Sequence, residues 1–374
     1  MKKPVSKAQL TRNSATLLKE GAARLKGARA LVGFDGFVDT ILHAVDQRAS
    51  ASRYTRITKM ADFAKRIEAA AGLSANIELV PQLVKLGGNG PIMANALNSL
   101  GAPVQYVGNL GAPHLHSVFE DFAKKVEVLS VAEPGYTDAI EFEDGKLMCG
   151  KLTSLGDVNW PTLVKHLPEE QLLSAISQST LIALVNWTML PHMSSIFQRL
   201  LTDIAPKLTG EKRWMFFDLA DPAKRTRKDL AAVLRLISRF QRYFRVVLGL
   251  NLQESRQVGE VLGLKPLTVS ESGVQDHASR LQERLALETV VVHPTAFAAA
   301  ADADTAAVVK GPFVHRPKIT TGAGDHFNAG FCVGRVLGAD LAGSLRLGVA
   351  TSGYYVRTAR SPRLAELRKF LEQV

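Results

Sequence analysis

Apolar segments of strand length alternate with amphipathic segments of helical period along most of the 374-residue chain. The apolar segments lack strict alternation, which is typical of strands that are buried on both faces of a parallel sheet. The strand candidates are residues 30–34, 104–107, 180–185, 213–217, 245–250 and 289–292, and the clearest helix candidates are 92–100, 191–207, 229–243 and 252–262. The pattern predicts an α/β fold: a doubly wound, mostly parallel sheet with helices on both faces.

Two segments interrupt this pattern and predict a second, small sheet. Residues 43–86 contain a polar stretch, a helix near 60–71 and an extended run, and residues 137–152 alternate around Asp144-Gly145, a strong β-hairpin signal. Strands inserted in an α/β domain suggest a lid over the ligand-binding edge. We therefore divide the chain into a main α/β domain (30–42, 87–136 and 153–374), a β-sheet lid (43–86 and 137–152) and a basic N-terminal helical extension (1–29).

The composition is that of an ordinary soluble enzyme, with 46% hydrophobic and 22% charged residues. No apolar run is as long as a membrane span, and the start, Met-Lys-Lys-Pro, lacks the features of a secretory signal. Cys149 and Cys332 lie far apart and lack metal-ligand spacing. These features predict a cytoplasmic protein without a membrane partner.

The net charge of +11 comes from the two ends of the chain. Residues 1–30 carry a net +7 and residues 346–374 a net +4, so the middle of the chain is neutral. A nucleic-acid-binding core would combine basic residues with interleaved aromatics, and only 7% of the residues are aromatic. We therefore predict no nucleic-acid partner and interpret the basic ends as solvated helix faces.

The strongest chemical signal is the stretch 320–331, Thr-Thr-Gly-Ala-Gly-Asp-His-Phe-Asn-Ala-Gly-Phe. Its pattern predicts that a buried helix begins near Asp325, so the amides of Gly322, Ala323 and Gly324 would lie at a helix N-terminus, which favours an anion. A carboxylate there would repel the anion, and it makes sense as a base that takes a proton from a hydroxyl attacking a phosphate. The alternative, of similar weight on these residues alone, is a glycine-rich helix start capped by the aspartate.

Asn251 and Glu254 follow the predicted strand 245–250 with the spacing Asn-x-x-Glu. Both side chains offer oxygen ligands that suit Mg²⁺, directly or through water. The alternative is a capping box in which Asn251 caps the next helix and Glu254 reaches back, and the pair alone favours the cap.

Several other polar residues follow predicted strands or open a helix. Two carboxylates after the first strand, and a flexible glycine loop with an amide side chain, fit a ligand with several hydroxyl groups. Turn and cap roles, or a plain loop before a helix, are equally good explanations of these residues. The substrate-binding candidates are Asp35, Asp39, Gly87, Gly88 and Asn89.

Two further candidates are weaker. Arg225 follows the strand 213–217 and can bind a phosphate or acid group, although a surface Asp–Arg pair is the more common arrangement. His293 ends the strand 289–292 near the expected nucleotide edge, although a hydrogen-bonded structural histidine explains it better.

Taken together, these motifs resemble the PfkB (ribokinase-like) family of carbohydrate kinases. Residues 320–331 match the C-terminal signature of that family, 249–254 match its Asn-x-x-Glu metal motif and 87–101 match its glycine motif. Asp39 falls where the family places a sugar-binding aspartate. Four motifs in the right order, over roughly residues 30–370, are far more specific than any one of them.

The resemblance implies a ribokinase-like fold whose small sheet covers the sugar. Asp325 would deprotonate the acceptor hydroxyl, the Gly322–Gly324 amides would stabilise the transferring phosphoryl group, and Asn251 and Glu254 would organise Mg²⁺ and its waters. The candidates for contact with the nucleotide are Thr321, His293, Thr295 and Asn328.

The sequence also departs from the family pattern. Ile319 replaces an aspartate common in relatives, which weakens the expectation of a monovalent-cation site, and Ile92 replaces an asparagine of the glycine motif. Residues 90–95 and 292–295 also look like segments of the ADP-dependent sugar kinases. We therefore predict ATP as the phosphate donor and keep ADP as the alternative.

The leading hypothesis is a Mg²⁺-dependent kinase that transfers the γ-phosphate of ATP to a hydroxyl of a sugar or polyol. A nucleoside kinase of the same fold is the second hypothesis, and a non-catalytic sugar- or nucleotide-binding relative is the third. The intact Gly-Ala-Gly-Asp sequence argues against the third, and the absence of Gly-x-Gly-x-x-Gly after the first strand argues against a nicotinamide oxidoreductase. Exposed lid edges suggest a homodimer.

Overall fold

The structure, a computed structural model, describes residues 6–374. Residues 1–5 of the predicted N-terminal extension lie outside the described residues. The strands are β1 (Ala30–Phe34), β2 (Phe37–Arg48), β3 (Tyr54–Arg56), β4 (Leu79–Gly87), β5 (Val104–Gly108), β6 (Glu127–Ser130), β7 (Gly135–Glu141), β8 (Lys146–Lys151), β9 (Leu181–Leu184), β10 (Trp214–Asp218), β11 (Arg245–Leu250), β12 (Thr289–Val292), β13 (Phe297–Ala301) and β14 (Ala306–Lys310).

Helices cover both faces of the larger sheet, except for the helix at residues 60–69, whose Phe63 packs with residues of the small sheet. They are α1 (Lys7–Glu20), α2 (Ala22–Gly27), α3 (Met60–Ala69), α4 (Asn89–Ser99), α5 (Glu120–Ala123), α6 (Trp160–His166), α7 (Glu169–Gln178), α8 (Met193–Arg199), α9 (Arg227–Phe240), α10 (Leu252–Val261), α11 (Glu271–Leu285), α12 (Ala323–Val336), α13 (Leu341–Thr358) and α14 (Leu364–Gln373).

A nine-stranded sheet forms the centre of the molecule, in the order β14-β13-β12-β11-β10-β9-β1-β5-β6. Its strands pair in parallel, except that β13 pairs antiparallel with both β12 and β14. The strands β1, β9, β10 and β12 are buried along their whole length, as expected for strands covered on both faces. The predicted α/β fold and its parallel sheet are therefore confirmed.

Each face of this sheet carries its own hydrophobic core. One core packs α6 to α11 on the strands, and the other packs α1, α2, α4 and α12 to α14 on the opposite face. Helix α12, which begins in the segment with the strongest chemical signal, contacts both α13 and α4. Its position is therefore set by two neighbouring helices as well as by the sheet.

The predicted helix over 191–207 is shorter in the structure. Helix α8 ends at Arg199, and the chain continues as a π-helical turn over Leu200–Ile204 and a 3₁₀ turn over Ala205–Lys207. Pro206 lies in this last turn, and a proline has no N–H to continue an α-helix. The predicted length was wrong because the apolar pattern continues through the two irregular turns.

The small sheet contains β3, β2, β7 and β8 in this order, with β4 paired to β2. The predicted hairpin is present, since β7 and β8 pair antiparallel on either side of Asp144-Gly145. Strand β2 runs from residue 37 to residue 48, so the small sheet takes in residues 37–42, which we had placed in the main domain. The sequence boundary was misplaced because β2 follows β1 after only two residues.

The described part of the predicted N-terminal extension is helical and belongs to the main core. Leu18 on α1 and Leu25 on α2 are buried, and α1 packs on α14 and α13. Within residues 6–374, no helix has the length and apolar character needed to cross a membrane.

Candidate active site

Polar residues gather where the parallel strands of the large sheet end. Asp35 follows β1, Asn186 follows β9, Asp218 ends β10, Asn251 follows β11 and His293 follows β12. Because the carboxyl ends of parallel strands meet at one edge, all five residues lie along the same crevice, where ligands bind in open α/β sheets.

Helix α12 begins at this edge. Gly322 is its N-cap, with φ of 88°, a backbone conformation that favours glycine. A Cβ atom at Gly322 would lie 3.1 Å from the Tyr355 hydroxyl and 3.2 Å from Ile92, so an added side chain would require these neighbours to shift. At the first turn of α12, a ligand can therefore come close to the backbone, and the conformation of this turn depends on glycine.

The amides at this helix start differ in their partners. The Ala323 amide donates to the Thr320 carbonyl at 3.1 Å, whereas the amides of Gly322 and Gly324 have no main-chain acceptor within residues 6–374. Two of the three amides that we expected to bind an anion are therefore open.

Asp325 lies on the first turn of α12 and is buried, with 7% of its surface exposed. It does not cap the helix, so the alternative interpretation as a capping aspartate is wrong. Its Oδ1 accepts a hydrogen bond of 3.0 Å from the Asn89 amide side chain. Burial raises the pKa of Asp325 to about 7, and the Asn89 hydrogen bond opposes this rise. A carboxylate with a pKa near neutrality is suited to act as a general base.

Asn251 and Glu254 form the capping box that the sequence alone favoured. The Asn251 Oδ1 accepts from the Glu254 amide at 2.9 Å, and the Glu254 Oε2 accepts from the Asn251 amide at 2.8 Å. The other oxygen, Oε1, accepts from the Asp221 amide at 2.9 Å. Glu254 is nevertheless buried at the crevice, and burial, with the neighbouring charge of Asp218, raises its pKa to about 8.

Asp218 is a site residue that lies outside the sequence motifs. It is buried at the end of β10, and burial together with the charge of Asp325 raises its pKa to about 7. The ion pairs of the described chain include neither Asp218, Glu254 nor Asp325. Within residues 6–374, the crevice therefore holds three buried carboxyl groups without a basic partner. The place of Asp218 at a strand end is the signal that could have revealed it.

Asp35 is completely buried and accepts three hydrogen bonds. The donors are the amides of Asn89 at 2.9 Å and Gly90 at 2.7 Å and the Asn186 side chain at 2.7 Å. Asp35 therefore anchors the glycine loop and the start of α4 instead of offering an exposed oxygen to a substrate. The sequence could not reveal this role because Asn186, a further site residue outside the sequence motifs, is 151 positions away.

Asp39 lies on β2 of the small sheet and faces the glycine loop. Burial raises its pKa, and Lys85 and a hydrogen bond from Thr137 oppose the rise. A Cβ atom on Gly87 would lie 2.4 Å from the Asp39 carboxylate, and Gly88 has φ of 99°. The two glycines therefore allow the loop to lie directly against Asp39, so the structure brings Asp39, Gly87, Gly88 and Asn89 together.

Arg225 lies apart from this group. Its guanidinium donates to the carbonyls of Thr188 at 3.0 Å and Leu190 at 2.7 Å and lies over the Trp187 ring. These bonds hold the loop after β9, so the expected substrate contact of Arg225 is not supported by the geometry. The sequence did not show that the N–H groups of Arg225 would donate to carbonyls of the loop after β9.

A largely apolar cavity of about 390 Å³ adjoins the start of α12. His293 lines it together with Thr295, and the half-buried His293 ring packs against Phe327 with centroids 4.7 Å apart. Burial lowers the pKa of His293 to about 4, so the ring is neutral. The remaining walls, which no motif indicated, come mainly from Gly311, Pro312, Phe313, Val314, Pro317, Val349, Ser352, Gly353 and Val356.

Two of the expected nucleotide contacts have other partners. Asn328 is buried and donates to the Asp218 Oδ2 at 2.8 Å, so it positions that carboxylate instead of lining the cavity. The Thr321 carbonyl accepts from the Tyr355 hydroxyl at 2.9 Å, and the neighbouring Thr320 lines the cavity in its place.

Comparison with known proteins agrees with this geometry. A family model described as prokaryotic ketohexokinase matches residues 9–374. The chain belongs to the prokaryotic ketohexokinase family. Among its relatives in this ketohexokinase family is a ketohexokinase of Haloferax volcanii, 30% identical over 349 residues, which are 93% of this chain and 92% of the relative. The expected PfkB-like carbohydrate kinase family and phosphotransferase class are confirmed.

Solved structures confirm the ribokinase-like fold of this ketohexokinase family member. An Arabidopsis thaliana ribokinase complexed with ribose and ATP matches with a TM-score of 0.64 and 16% identity, over 92% of this chain and 99% of that chain. Phosphofructokinase-2 from Escherichia coli, in complex with substrates and products, matches with a TM-score of 0.64 and 17% identity, over 92% and 98% of the two chains.

Proposed function

We propose that this protein transfers the γ-phosphate of ATP to a hydroxyl group of a ketohexose. The observation that carries the proposal is the start of α12, where a buried carboxylate with a pKa of about 7 lies within one turn of two open amides. The ketohexose acceptor is inferred from the matching family and from the Haloferax volcanii relative, both described as ketohexokinase.

In the proposed reaction, the sugar hydroxyl oxygen attacks the γ-phosphorus while the bond to the bridging oxygen of ADP breaks. Asp325 accepts the hydroxyl proton, and the released ADP carries the electron pair of the broken bond. The Gly322 and Gly324 amides face the charge that develops on the transferring oxygens. Such preorganised donors stabilise a transition state without reorganising, which is the main protein contribution to phosphoryl transfer.

The donor set at the crevice fits Mg²⁺. Asp218 and Glu254 are buried carboxylates without ion-pair partners within residues 6–374, burial raises the pKa of both, and the charge of Asp218 adds to the rise at Glu254. Residues 6–374 contain no group of three or more His, Cys, Asp or Glu side chains placed to hold a metal. Mg²⁺ commonly binds to one or two carboxylates, waters and substrate phosphates, so this sparse donor set suits it. Bound Mg²⁺ would neutralise phosphate charge. Its candidate ligands are Asn251 and Glu254, which would bind it directly or through water, and Asp218 lies beside them.

The cavity next to α12 supports a nucleotide as phosphate donor. Its apolar walls suit a nucleobase, and the open Gly324 amide borders it, so a bound nucleotide would direct its phosphates toward Asp325. The ribokinase with the same fold was solved with ATP, which favours ATP over ADP. We place the sugar on the other side of Asp325, between the glycine loop and Asp39 under the small sheet. We also propose that the protein carries out this sugar phosphorylation in the cytoplasm.

A phosphate-transfer screen tests the proposal. The purified protein with Mg²⁺ and either ATP or ADP would be offered ketohexoses, aldoses, polyols and nucleosides, and phosphorylated product would be detected by mass. We expect a ketohexose phosphate with ATP. Product only with ADP would support the alternative donor, product only from nucleosides would support a nucleoside kinase, and ligand binding without any product would support the non-catalytic alternative.

Substitution of the base separates chemistry from binding. Asp325→Asn should abolish turnover and leave the ketohexose dissociation constant, measured by calorimetry, within about threefold, because the amide keeps the shape but not the basicity. Asp304→Asn, on the exposed turn between β13 and β14, is the matched control and should retain full turnover. Wild-type turnover in Asp325→Asn would refute the role of Asp325.

We also propose that two copies associate through the small sheet. Five large apolar side chains of its outer strands β4 and β8 are at least 36% exposed: Leu79, Leu83, Val84, Leu147 and Met148. Light scattering should report a dimer, and Leu83→Lys with Met148→Lys should convert it to a monomer. Val269→Lys, an equally exposed position outside this sheet, is the control. A wild-type monomer at assay concentrations would contradict the dimer.

A further inference from the structure

His326, the residue after the proposed base, is almost fully buried yet lacks a role in the chemistry described above. Its Nδ1 lies 2.7 Å from the Gly322 carbonyl oxygen, and its Nε2 lies 2.8 Å from the Ser361 hydroxyl. The ring stacks on Tyr355 with centroids 3.6 Å apart and an interplanar angle of 13°. The imidazole is therefore held on two edges and one face.

The partners determine the protonation state of each ring nitrogen. A carbonyl oxygen only accepts hydrogen bonds, so Nδ1 must carry the proton. Burial lowers the pKa of His326 to about 4, so the ring is neutral and Nε2 has a lone pair. Nε2 therefore accepts from the Ser361 hydroxyl, and the Ser361 oxygen in turn accepts from the Asn95 side chain at 3.0 Å. All four groups form one hydrogen-bond chain with a single consistent direction.

One end of this hydrogen-bond chain lies on the turn that presents the open amides. In a planar trans peptide, the C=O and the following N–H point in opposite directions. The Gly322 carbonyl accepts from the main-chain amide of His326 at 3.1 Å as well as from its ring, and these two donors together fix the Ala323 N–H, which closes the turn on Thr320. The Tyr355 hydroxyl holds the Thr321 carbonyl in the same way and so fixes the open Gly322 N–H. The stacked His326 and Tyr355 thus set two successive peptide planes.

The other end of the hydrogen-bond chain lies on helix α4. Asn95 is on the second turn of α4, and Asn89, at its first residue, donates to Asp325. Ser99 on the same helix donates to the Pro362 carbonyl at 2.9 Å, which holds the Ser361 segment against α4. Helix α4 is therefore hydrogen-bonded to the proposed base through Asn89, and it is linked to the amide turn through Ser361 and His326.

We propose that His326 is a positioning residue for phosphoryl transfer, which fixes the amide turn through Gly322 and ties it to α4 through Ser361 and Asn95. The proposal rests on the kinase function proposed above. It predicts that loss of the hydrogen-bond chain weakens binding of the transition state and not of the ground-state substrates, because ATP and sugar have other contacts.

Steady-state kinetics of matched variants tests this role. Ser361→Ala removes the donor to Nε2, and His326→Phe removes both hydrogen bonds but keeps a ring to stack on Tyr355. In His326→Phe we expect kcat to fall about tenfold or more while both KM values stay within about twofold. His326→Asn, whose amide can still donate to the Gly322 carbonyl, should restore a large part of kcat. Ser179→Ala, a buried serine hydroxyl at the amino end of β9, is the control.

A second measurement does not depend on turnover. Nitrogen NMR of histidine-labelled protein should show neutral His326 with the proton on Nδ1, and Ser361→Ala should shift the Nε2 signal. A proton on Nε2 would overturn the proposal, as would wild-type kcat in His326→Phe. Loss of thermal stability with proportional changes in kcat and KM would assign a merely structural role. An inactive wild type that retains the Nδ1–H form would refute the kinase function and leave the hydrogen-bond chain established.

Discussion

The hydrogen bond from Asn89 to Asp325 should control the pH at which the enzyme becomes active. Asp325 works as a base only when ionised, and burial raises its pKa to about 7. At saturating Mg²⁺ and ATP, kcat/KM for the sugar should therefore fall about tenfold per pH unit below this value. The Asn89 side chain stabilises the ionised form, so its removal in Asn89→Ala should raise the pKa further.

The size of the shift follows from the environment. A hydrogen bond to a charged group contributes about 1.5–3 kcal/mol, and 1.36 kcal/mol corresponds to about one pKa unit. Asp325 is 7% exposed, so water replaces little of the lost bond. We expect the acid limb to move from about pH 7 to about pH 8, which lowers kcat/KM roughly eightfold at pH 6.5 and hardly at all at pH 9.5 through this effect.

The assay is a pH profile of kcat/KM for wild type, Asn89→Ala and Asn98→Ala. Asn98 lies at the other end of α4, so its substitution controls for loss of an amide from that helix. Asn89 also lies in the proposed sugar loop, so an equal loss of activity at every pH would report sugar contacts only. An acid limb that stays at its wild-type position in Asn89→Ala would refute the proposed control of the Asp325 pKa.

Three further substitutions test the site. Gly322→Ala should lower kcat more than about tenfold, because alanine at a positive φ costs roughly 1–2 kcal/mol and its Cβ meets Tyr355. A normal kcat in this variant would contradict the role of this turn. Asp218→Asn should reduce turnover and raise the melting temperature at pH 8. Because burial raises the pKa of Asp218 in the folded wild type to about 7, the wild type loses stability as pH rises from about 4, the ordinary pKa of an aspartate, to about 7. An unchanged pH dependence of stability in the variant would count against this. Arg225→Ala should lower the melting temperature and leave the sugar KM within about twofold, and a large rise in KM would restore it as a substrate contact.

The sequence alone determined the layered fold and the order of the chemical motifs. Strands that are buried on both faces must be apolar at nearly every position, so β1, β11 and β12 were predicted with their observed bounds. The turn around Gly322 was also readable, because a helix that starts with open amides at a close-approach site requires glycine. Local rules of this kind depend on neighbours in sequence, which the chain displays directly.

The tertiary structure decided which polar residues support the site and which are open to a ligand. Asp35 and Asp39 were equivalent candidates in sequence, but only the fold brings Asn186 to Asp35 across 151 positions. Asn328 was expected at the nucleotide, but it is bonded to Asp218, 110 positions away. The apolar cavity likewise combines residues 311–317 with 349–356, neither of which carries a motif. Hydrogen-bond partners and desolvation are set by these distant contacts, and they decide whether a buried carboxylate is an anchor or a base.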